Sequence, residues 1–260
     1  MSGVQSAVLR RPARGRTACF LYECLVFYGL LLVFGITSLI LSVVAGILHL
    51  ILPRRLGAPL GQMMIMASCR YFVALMRLTG IIRCDLRELD ALRRAGPLII
   101  APNHPSLLDA VLILSRLPHV ACTAKAELLD NLFLGGSARL AGFIRNDCAT
   151  RFIREGARQL ECGWQLLIFP EGTRTVGGRL GNFKGGFALI AKRAGVPVQT
   201  VFIDSNSRFL GKGWPLLRKP QFPLRYRVRL GPALRVGRDI AGFAAELHGR
   251  YRRALDDGDA

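Results

Sequence analysis

The sequence predicts an α/β domain, a mixed β-sheet flanked by helices, preceded by an N-terminal membrane-associated helical segment. Three observations predict it. Beyond Arg83, short apolar runs alternate with helical stretches, the pattern of an α/β sheet. Near the N-terminus lies a long apolar run almost without ionisable groups. Two polar motifs each follow directly on an apolar strand candidate, where α/β proteins keep their reacting groups.

The apolar run reads LVFYGLLLVFGITSLILSVVAGILHLIL from Leu25 to Leu52, with His49 its only ionisable side chain apart from Tyr28. It is too long for the apolar region of a signal peptide, and no small-residue cleavage pattern precedes Pro53-Arg54-Arg55, so it is expected to be retained. As one helix it would run about 42 Å against roughly 30 Å of hydrocarbon, so it must tilt, kink or fold back. Gly29, Gly35 and Gly46 are candidate bend points. Arg10, Arg11, Arg14 and Arg16 precede the run and Arg54 and Arg55 follow it; a re-entrant hairpin satisfies positive charge on both flanks. The stretch Leu60 to Ile82 is apolar but carries Arg70 and Arg77, which suits an amphipathic helix at the membrane interface or a helix of the core. The expected organisation is a basic segment over 1–24, a membrane-anchoring helical region over 25–82 and a catalytic domain over 83–260.

Within that domain strands are expected at Leu98 to Ala101, His119 to Thr123, Gln165 to Phe169, Pro197 to Asp204 and Leu224 to Leu230. Helices are expected over Ser106 to Ser115, Thr150 to Cys162, Gly185 to Arg193 and Ile240 to Ala254. Asp256, Asp257 and Asp259 read as a frayed acidic tail.

Of 260 residues, 51% are hydrophobic while 20% are charged, an ordinary charged fraction, so the apolar excess is local to the anchor. Thirty-six Lys and Arg against 17 Asp and Glu leave a net charge of +19, which draws the protein to polyanions, nucleic acid or anionic lipid. No nucleic-acid recognition motif or aromatic-interleaved basic strand is present, so no specific nucleic acid is expected and membrane lipid is the expected partner. The seven cysteines form neither a CxxC pair nor a metal-ligand spacing, which suits free thiols in a reducing cytoplasm.

The first motif, Asn103-His104-Pro105-Ser106-Leu107-Leu108-Asp109, follows the Leu98 to Ala101 strand. Pro105 suits a first helical turn, which would set His104 at the helix cap. Residues five apart on a continuous helix lie about 140° apart around the axis, so the turn before Pro105 has to bring His104 and Asp109 together. Asp109 can then accept the Nδ1 hydrogen of His104, and Nε2 can take a proton from a hydroxyl attacking a thioester carbonyl. Alone, the pattern reads first as a structural histidine capping the helix, and the second motif changes that balance. Ser106 as a covalent nucleophile is the alternative, but it lies outside any GxSxG elbow, and helix structure is its expected role.

The second motif, Leu167 to Thr175, runs from a strand into a Pro- and Gly-driven turn presenting Glu171 and Arg174. Arg174 can clamp a phosphate bidentately, and Glu171 can hydrogen-bond the acceptor or hold the arginine; a strand-end ion pair without a ligand is the alternative. Lys184-Gly185-Gly186 places a cation at an expected helix N-terminus.

Together these segments resemble the glycerolipid acyltransferase family that includes 1-acyl-glycerol-3-phosphate acyltransferases, marked by NHxxxxD followed by FPEGTR. The resemblance covers roughly residues 80 to 230. It implies that His104 and Asp109 form the catalytic dyad and that Glu171, Gly172 and Arg174 help bind the acceptor's phosphate end. Asn103, Thr173, Lys184 and Arg145 complete the candidate substrate-binding set. It implies transfer of an acyl group from acyl-CoA or acyl-carrier protein, as co-substrate, to the free hydroxyl of a lysolipid such as 1-acyl-glycerol-3-phosphate. No metal and no cofactor are expected. The catalytic domain is expected on the cytoplasmic face of a membrane, the inner membrane if bacterial. Two departures stand out. The family's Phe-Ile motif appears as Gly142-Phe143-Ile144-Arg145-Asn146, with Arg145 one place early and Arg151 the other candidate for a second phosphate contact. The family's later Val-Pro motif has Thr200 in place of its second proline, where a pocket wall is expected to change. An acceptor of another kind, a lyso-amino-acid lipid or specialised metabolite, is therefore the alternative. A basic membrane-binding protein without catalysis leaves the paired motifs unexplained.

Overall fold

The computed structural model describes residues 13–176 and 179–256; Arg10, Arg11, Asp257 and Asp259 and the side chains of Arg14 and Arg16 lie outside them. Two long helices come first, α1 (Ala13–Ile51) and α2 (Arg54–Leu78). The strands that follow are β1 (Ile82–Asp85), β2 (Ile99–Pro102), β3 (Val120–Ala124), β4 (Ile144–Arg145), β5 (Gln165–Leu167), β6 (Val198–Ser205) and β7 (Leu224–Leu234). Between and after them run a 3-10 helix (Arg87–Arg94) and helices α3 (Leu108–Leu114), α4 (Ala126–Leu129), α5 (Gly135–Leu140), α6 (Ala149–Glu161), α7 (Gly186–Ala194) and α8 (Ile240–Asp256). Asp256 thus ends a helix and is not part of a frayed tail.

The described strands form one mixed sheet in the order β1-β7-β6-β2-β5-β3-β4. All neighbours are parallel except β6 and β7, so β1 and β7 run against the rest. Buried on both faces, the central strands read as continuous apolar runs, and successive residues serve opposite cores. Ile100 and Leu167 join the layer under α1, α2 and α3, while Ile99 and Leu166 join the layer with α6, α7 and α8. Tyr251 of α8 is fully buried, accepts from Val201 N–H at 2.9 Å and donates to the Ala101 carbonyl, fastening β2 to β6. Thr200, expected to alter a pocket wall, lies buried in β6 and donates to the Pro232 carbonyl at 2.9 Å, so it braces the sheet.

The expected strands and helices appear within a few residues of their limits. The elements not expected from the sequence are the eight-residue 3-10 helix and β1, β4, α4 and α5, the last four of six residues or fewer.

α1 is continuous, so Gly29, Gly35 and Gly46 do not bend it; the chain folds back at Leu52-Pro53 instead. α2 returns alongside, and Tyr22 near the start of α1 donates to the Thr79 carbonyl past the end of α2 at 3.0 Å. One face of α1, with Phe27, Ser42 and Ala45, is buried, and the other carries an exposed stripe of Leu25, Leu32, Ile36, Ile40, Ile47 and Leu50. Their spacing of three, four or seven keeps them on one side of the helix. Among the described helices it alone is long and apolar enough to cross a membrane by length and composition. Arg70 and Arg77 turn toward the α/β domain, donating to the carbonyls of Ser115 at 3.2 Å and Cys84 at 2.8 Å.

α1 sits so close to α5 that only glycine fits between them. A Cβ at Gly136 would collide with the Ser42 carbonyl oxygen, and the Gly136 N–H donates to Ser42 Oγ at 2.9 Å. Gly136→Val should therefore lower stability by about 1–3 kcal/mol or more, the usual effect of overpacking. Thermal unfolding of detergent-solubilised protein measures it, and an unchanged midpoint would contradict this close approach.

Candidate active site

β2, β5, β3 and β4 are parallel, so their carboxyl ends share one edge of the sheet, and both motifs lie there. α3 starts at Leu108, not at Pro105, so His104 is a loop residue four positions before the helix and not its cap. This loop solves the geometric problem of the spacing. Asp109 points back, and its Oδ2 lies 3.0 Å from His104 Nδ1 and accepts the Ser106 N–H at 2.7 Å. With Nδ1–H assigned to the carboxylate, Nε2 carries the free lone pair.

The second motif holds the histidine in place from three directions. Glu171 Oε1 accepts the His104 N–H at 3.0 Å, and the Thr175 N–H donates to the His104 carbonyl at 2.7 Å. The Phe169 ring stacks on the imidazole with centroids 3.7 Å apart. Glu171 itself is buried and also accepts from Thr175 Oγ1 and, at 2.8 Å, from the Gly181 N–H. It neither holds Arg174 nor has an oxygen left uncommitted, contrary to both sequence readings.

Asp109 is fully buried, and burial raises its carboxyl from 3.8 to about 6, opposed by the His104 and Ser106 hydrogen bonds and reinforced by the Glu171 charge. Its Oδ1 and the hydroxyl of buried Tyr226 have no hydrogen-bond partner among the described residues. Burial first, then the Asp109 charge, pushes the Tyr226 phenol up to about 12.

Other candidates fall into two groups. Gly172, Thr173, Arg174 and Lys184 line one cavity of about 810 Å³ with His104. Gly172 has φ +66°, which favours glycine in this turn, and the Lys184 side chain passes 3.1 Å from where a Cβ would stand. Arg174 spends Nη1 on the carbonyls of Leu210 and Gly211, at 2.9 and 3.0 Å, so it anchors the 208–213 loop while it faces the cavity. Asn103 and Arg145 do not join them. The Asn103 amide bonds both the N–H and the carbonyl of Ile203, tying β2 to β6. Arg145 pairs with Asp147 at 2.9 Å and lies in a separate recess with Arg151, so neither arginine reaches the His104 cavity. Ser106 is fully buried, with its hydroxyl donating to the Phe209 carbonyl and accepting the Leu108 N–H, which makes it a structural residue.

Lys125 and Lys212 also line the cavity and were missed. Lys125 follows β3 directly, and a cation at the carboxyl end of a parallel strand is a legible signal; Lys212 sits in an irregular loop that carries none. Beyond them the cavity shares Leu107, Ala110, Leu114, Leu128, Leu134 and Phe143 with a second, almost wholly apolar cavity of about 300 Å³ that reaches Phe34, Ile65 and Phe72 on α1 and α2. A histidine base, a group of cations and an apolar chamber therefore adjoin.

Two predictions follow from these contacts. Glu171→Gln turns an acceptor into a donor facing backbone N–H groups, so activity should fall about 10- to 100-fold, the equivalent of one charge-assisted hydrogen bond. Steady-state transfer rates measure it. Because the folded-state carboxyl of Asp109 binds its proton more tightly than the unfolded chain does, its contribution to stability is complete below 3.8 and is lost as pH rises through about 6. Asp109→Asn should remove that slope from thermal midpoints taken across the window.

A sequence model of the Acyltransferase family matches residues 83–204. The 1-acyl-sn-glycerol-3-phosphate acyltransferase of Pseudomonas aeruginosa is 28% identical over 188 residues, 70% of this chain and 71% of that protein. The lyso-ornithine lipid O-acyltransferase of the same organism is 34% identical over 134 residues, 44% of this chain and 49% of the relative. The human 1-acyl-sn-glycerol-3-phosphate acyltransferase beta is 32% identical over 149 residues, 55% of this chain and 51% of the relative, so the chain spans about half of these last two. In fold it is similar to the crystal structure of the 1-acyl-sn-glycerophosphate acyltransferase PlsC from Thermotoga maritima, with a TM-score of 0.68 and 21% identity over 94% of this chain and 98% of that one. Both motifs lie at the sheet edge within residues 83–204, which match the Acyltransferase family model, and the relatives and the fold neighbour that the chain resembles are acyltransferases of glycerolipids or related lipids.

Proposed function

We propose that this enzyme transfers an acyl group from acyl-CoA or acyl-carrier protein to the free hydroxyl of a lysolipid, foremost 1-acyl-glycerol-3-phosphate, giving phosphatidic acid. The observation that carries this reading is the His104–Asp109 contact at the mouth of paired cavities, one cationic and one apolar. His104 Nε2 takes the acceptor's hydroxyl proton as that oxygen attacks the thioester carbonyl. Asp109 holds the ring and offsets the imidazolium charge that forms. As the tetrahedral intermediate collapses, the C–S bond breaks and the imidazolium returns the proton to the leaving thiolate. Arg174, Lys184 and Lys125 are placed to meet a headgroup phosphate, and the apolar chamber suits an acyl chain.

The α1–α2 hairpin supplies the membrane seat. α1 is tied to the α/β domain near its start, where Tyr28 donates to the Leu217 carbonyl and Lys219 pairs with Glu23, and again at Ser42. A helix fastened along a water-facing domain favours the re-entrant arrangement, its outer stripe embedded from the cytoplasmic face. A second acceptor class stays in view because Arg145 is paired away from the cavity and the lyso-ornithine relative matches at 34%.

The test offers purified enzyme acyl-CoA and acyl-carrier protein with a panel of lysolipids and identifies products by mass spectrometry. Diacyl phosphatidic acid is the expected product; transfer only to phosphate-free acceptors would overturn the acceptor assignment. His104→Ala should lose at least about 10²-fold in kcat, the range of general-base catalysis. Ser106→Ala, by contrast, should keep turnover in the folded fraction and lower stability.

A further inference from the structure

A second recess of about 950 Å³ opens on the other side of the His104 loop, touching Asn103 and Pro105 from behind. It lies over the end of β6 and the start of β7, walled by the irregular segment 205–215. Arg208, Lys212, Arg218, Arg225 and Arg227 line it. The carboxylate among its lining residues is Asp204, already paired with Arg229 at 3.1 Å. Ion pairs do form elsewhere on the surface, as in Arg87 with Asp85, Arg116 with Asp90 and Arg250 with Glu246. In the recess none of the five makes an ion pair among the described residues, and the Arg218 guanidinium instead lies 5.0 Å over the Trp214 ring. Like charges gathered in a concavity repel unless a polyanion neutralises them.

We propose that this recess binds the phosphorylated adenosine end of a coenzyme A thioester; the proposal rests on the acyltransferase reading above. The acceptor's needs are met on the other side of the loop, where cations adjoin the apolar chamber. The donor needs something different, a thioester at His104 and a soluble, multiply phosphorylated carrier some distance away on a flexible arm. Lys212 lines both the recess and the His104 cavity, so an arm leaving one enters the other around it. Its volume of about 950 Å³ falls in the range of small-molecule sites.

Two measurements test this on full-length protein in detergent. The first is calorimetric binding of CoA, 3′-dephospho-CoA and pantetheine, which needs no catalysis. The second is the ratio of kcat/KM for acyl-CoA to that for S-acyl-pantetheine with one lysolipid acceptor. Arg208→Ser/Arg225→Ser should weaken CoA binding and lower the ratio, each by about tenfold or more, the scale of charge-assisted phosphate contacts. The change should sit in the KM for acyl-CoA, with the lysolipid KM unmoved. Arg154→Ser/Arg158→Ser on α6, the same charge change elsewhere, should do neither. The proposal is overturned if the recess variant keeps wild-type CoA affinity, or if the control pair weakens it equally. It is overturned too if the loss falls on the lysolipid KM, on binding to phosphatidylglycerol vesicles, or on acyl-carrier protein alone. CoA binding that responds as expected in a protein without transferase activity would uphold the site and sink the acyltransferase reading.

Discussion

One histidine has to be held still at the edge of a parallel sheet, and the core around it is arranged to do that. Two carboxylates carry the task from opposite sides. Asp109 fixes the ring through Nδ1, and Glu171 fixes the backbone through the His104 N–H. Both are buried, where an unpaired carboxylate is expensive, and donors meet each: Ser106 N–H on Oδ2 of Asp109, whose Oδ1 has no partner among the described residues, and Thr175 and Gly181 on Glu171. The Phe169 ring closes the remaining side. A residue from either motif removed from this set leaves a buried charge or an unsupported ring behind.

This interdependence explains why His104 was ambiguous when read alone. Nothing in the spacing of His104 and Asp109 distinguishes a dyad from a capped helix, and the reading of Pro105 as a first helical residue placed the helix too early. What the residue pattern could not convey is that Leu108 starts α3 and that Ser106 bridges loop and helix through Phe209, a contact 103 positions away. Glu171 was legible as important, but its role was not, because its partners are backbone N–H groups that no side-chain pattern reveals. Asn103 was misread for the same reason: its amide mimics one more strand residue against Ile203.

The fold was legible where burial imposes a pattern. β2 is apolar on both faces, and β5 and β6 carry the apolar runs Leu166-Leu167 and Val201-Phe202-Ile203, so all three stand out in the sequence. β4 is two residues long and α5 begins with two glycines, so neither has a periodicity to detect. Those glycines are nonetheless structural. Gly136 admits the Ser42 backbone, and on α2 a Cβ at Gly61 would stand 2.6 Å from the Ala141 nitrogen. Poor helix formers at these positions are the condition for seating an apolar hairpin directly on the catalytic domain.

That seating has a chemical consequence. Because α1 and α2 form walls of the apolar chamber, and the chamber shares residues with the His104 cavity, the helical hairpin and the His104 loop face one connected apolar lining. In the proposed reaction an acyl chain would not have to leave apolar surroundings to bring its headgroup hydroxyl to Nε2, so little of the hydrophobic free energy that holds it in a bilayer would be forfeited on binding. The cations stand where that lining ends, on loops at the carboxyl edge of the sheet. In the proposed reaction, position along this gradient, set by α1 against α5 on one side and by the Asp109 and Glu171 contacts on the other, would select which oxygen of an acceptor reaches His104.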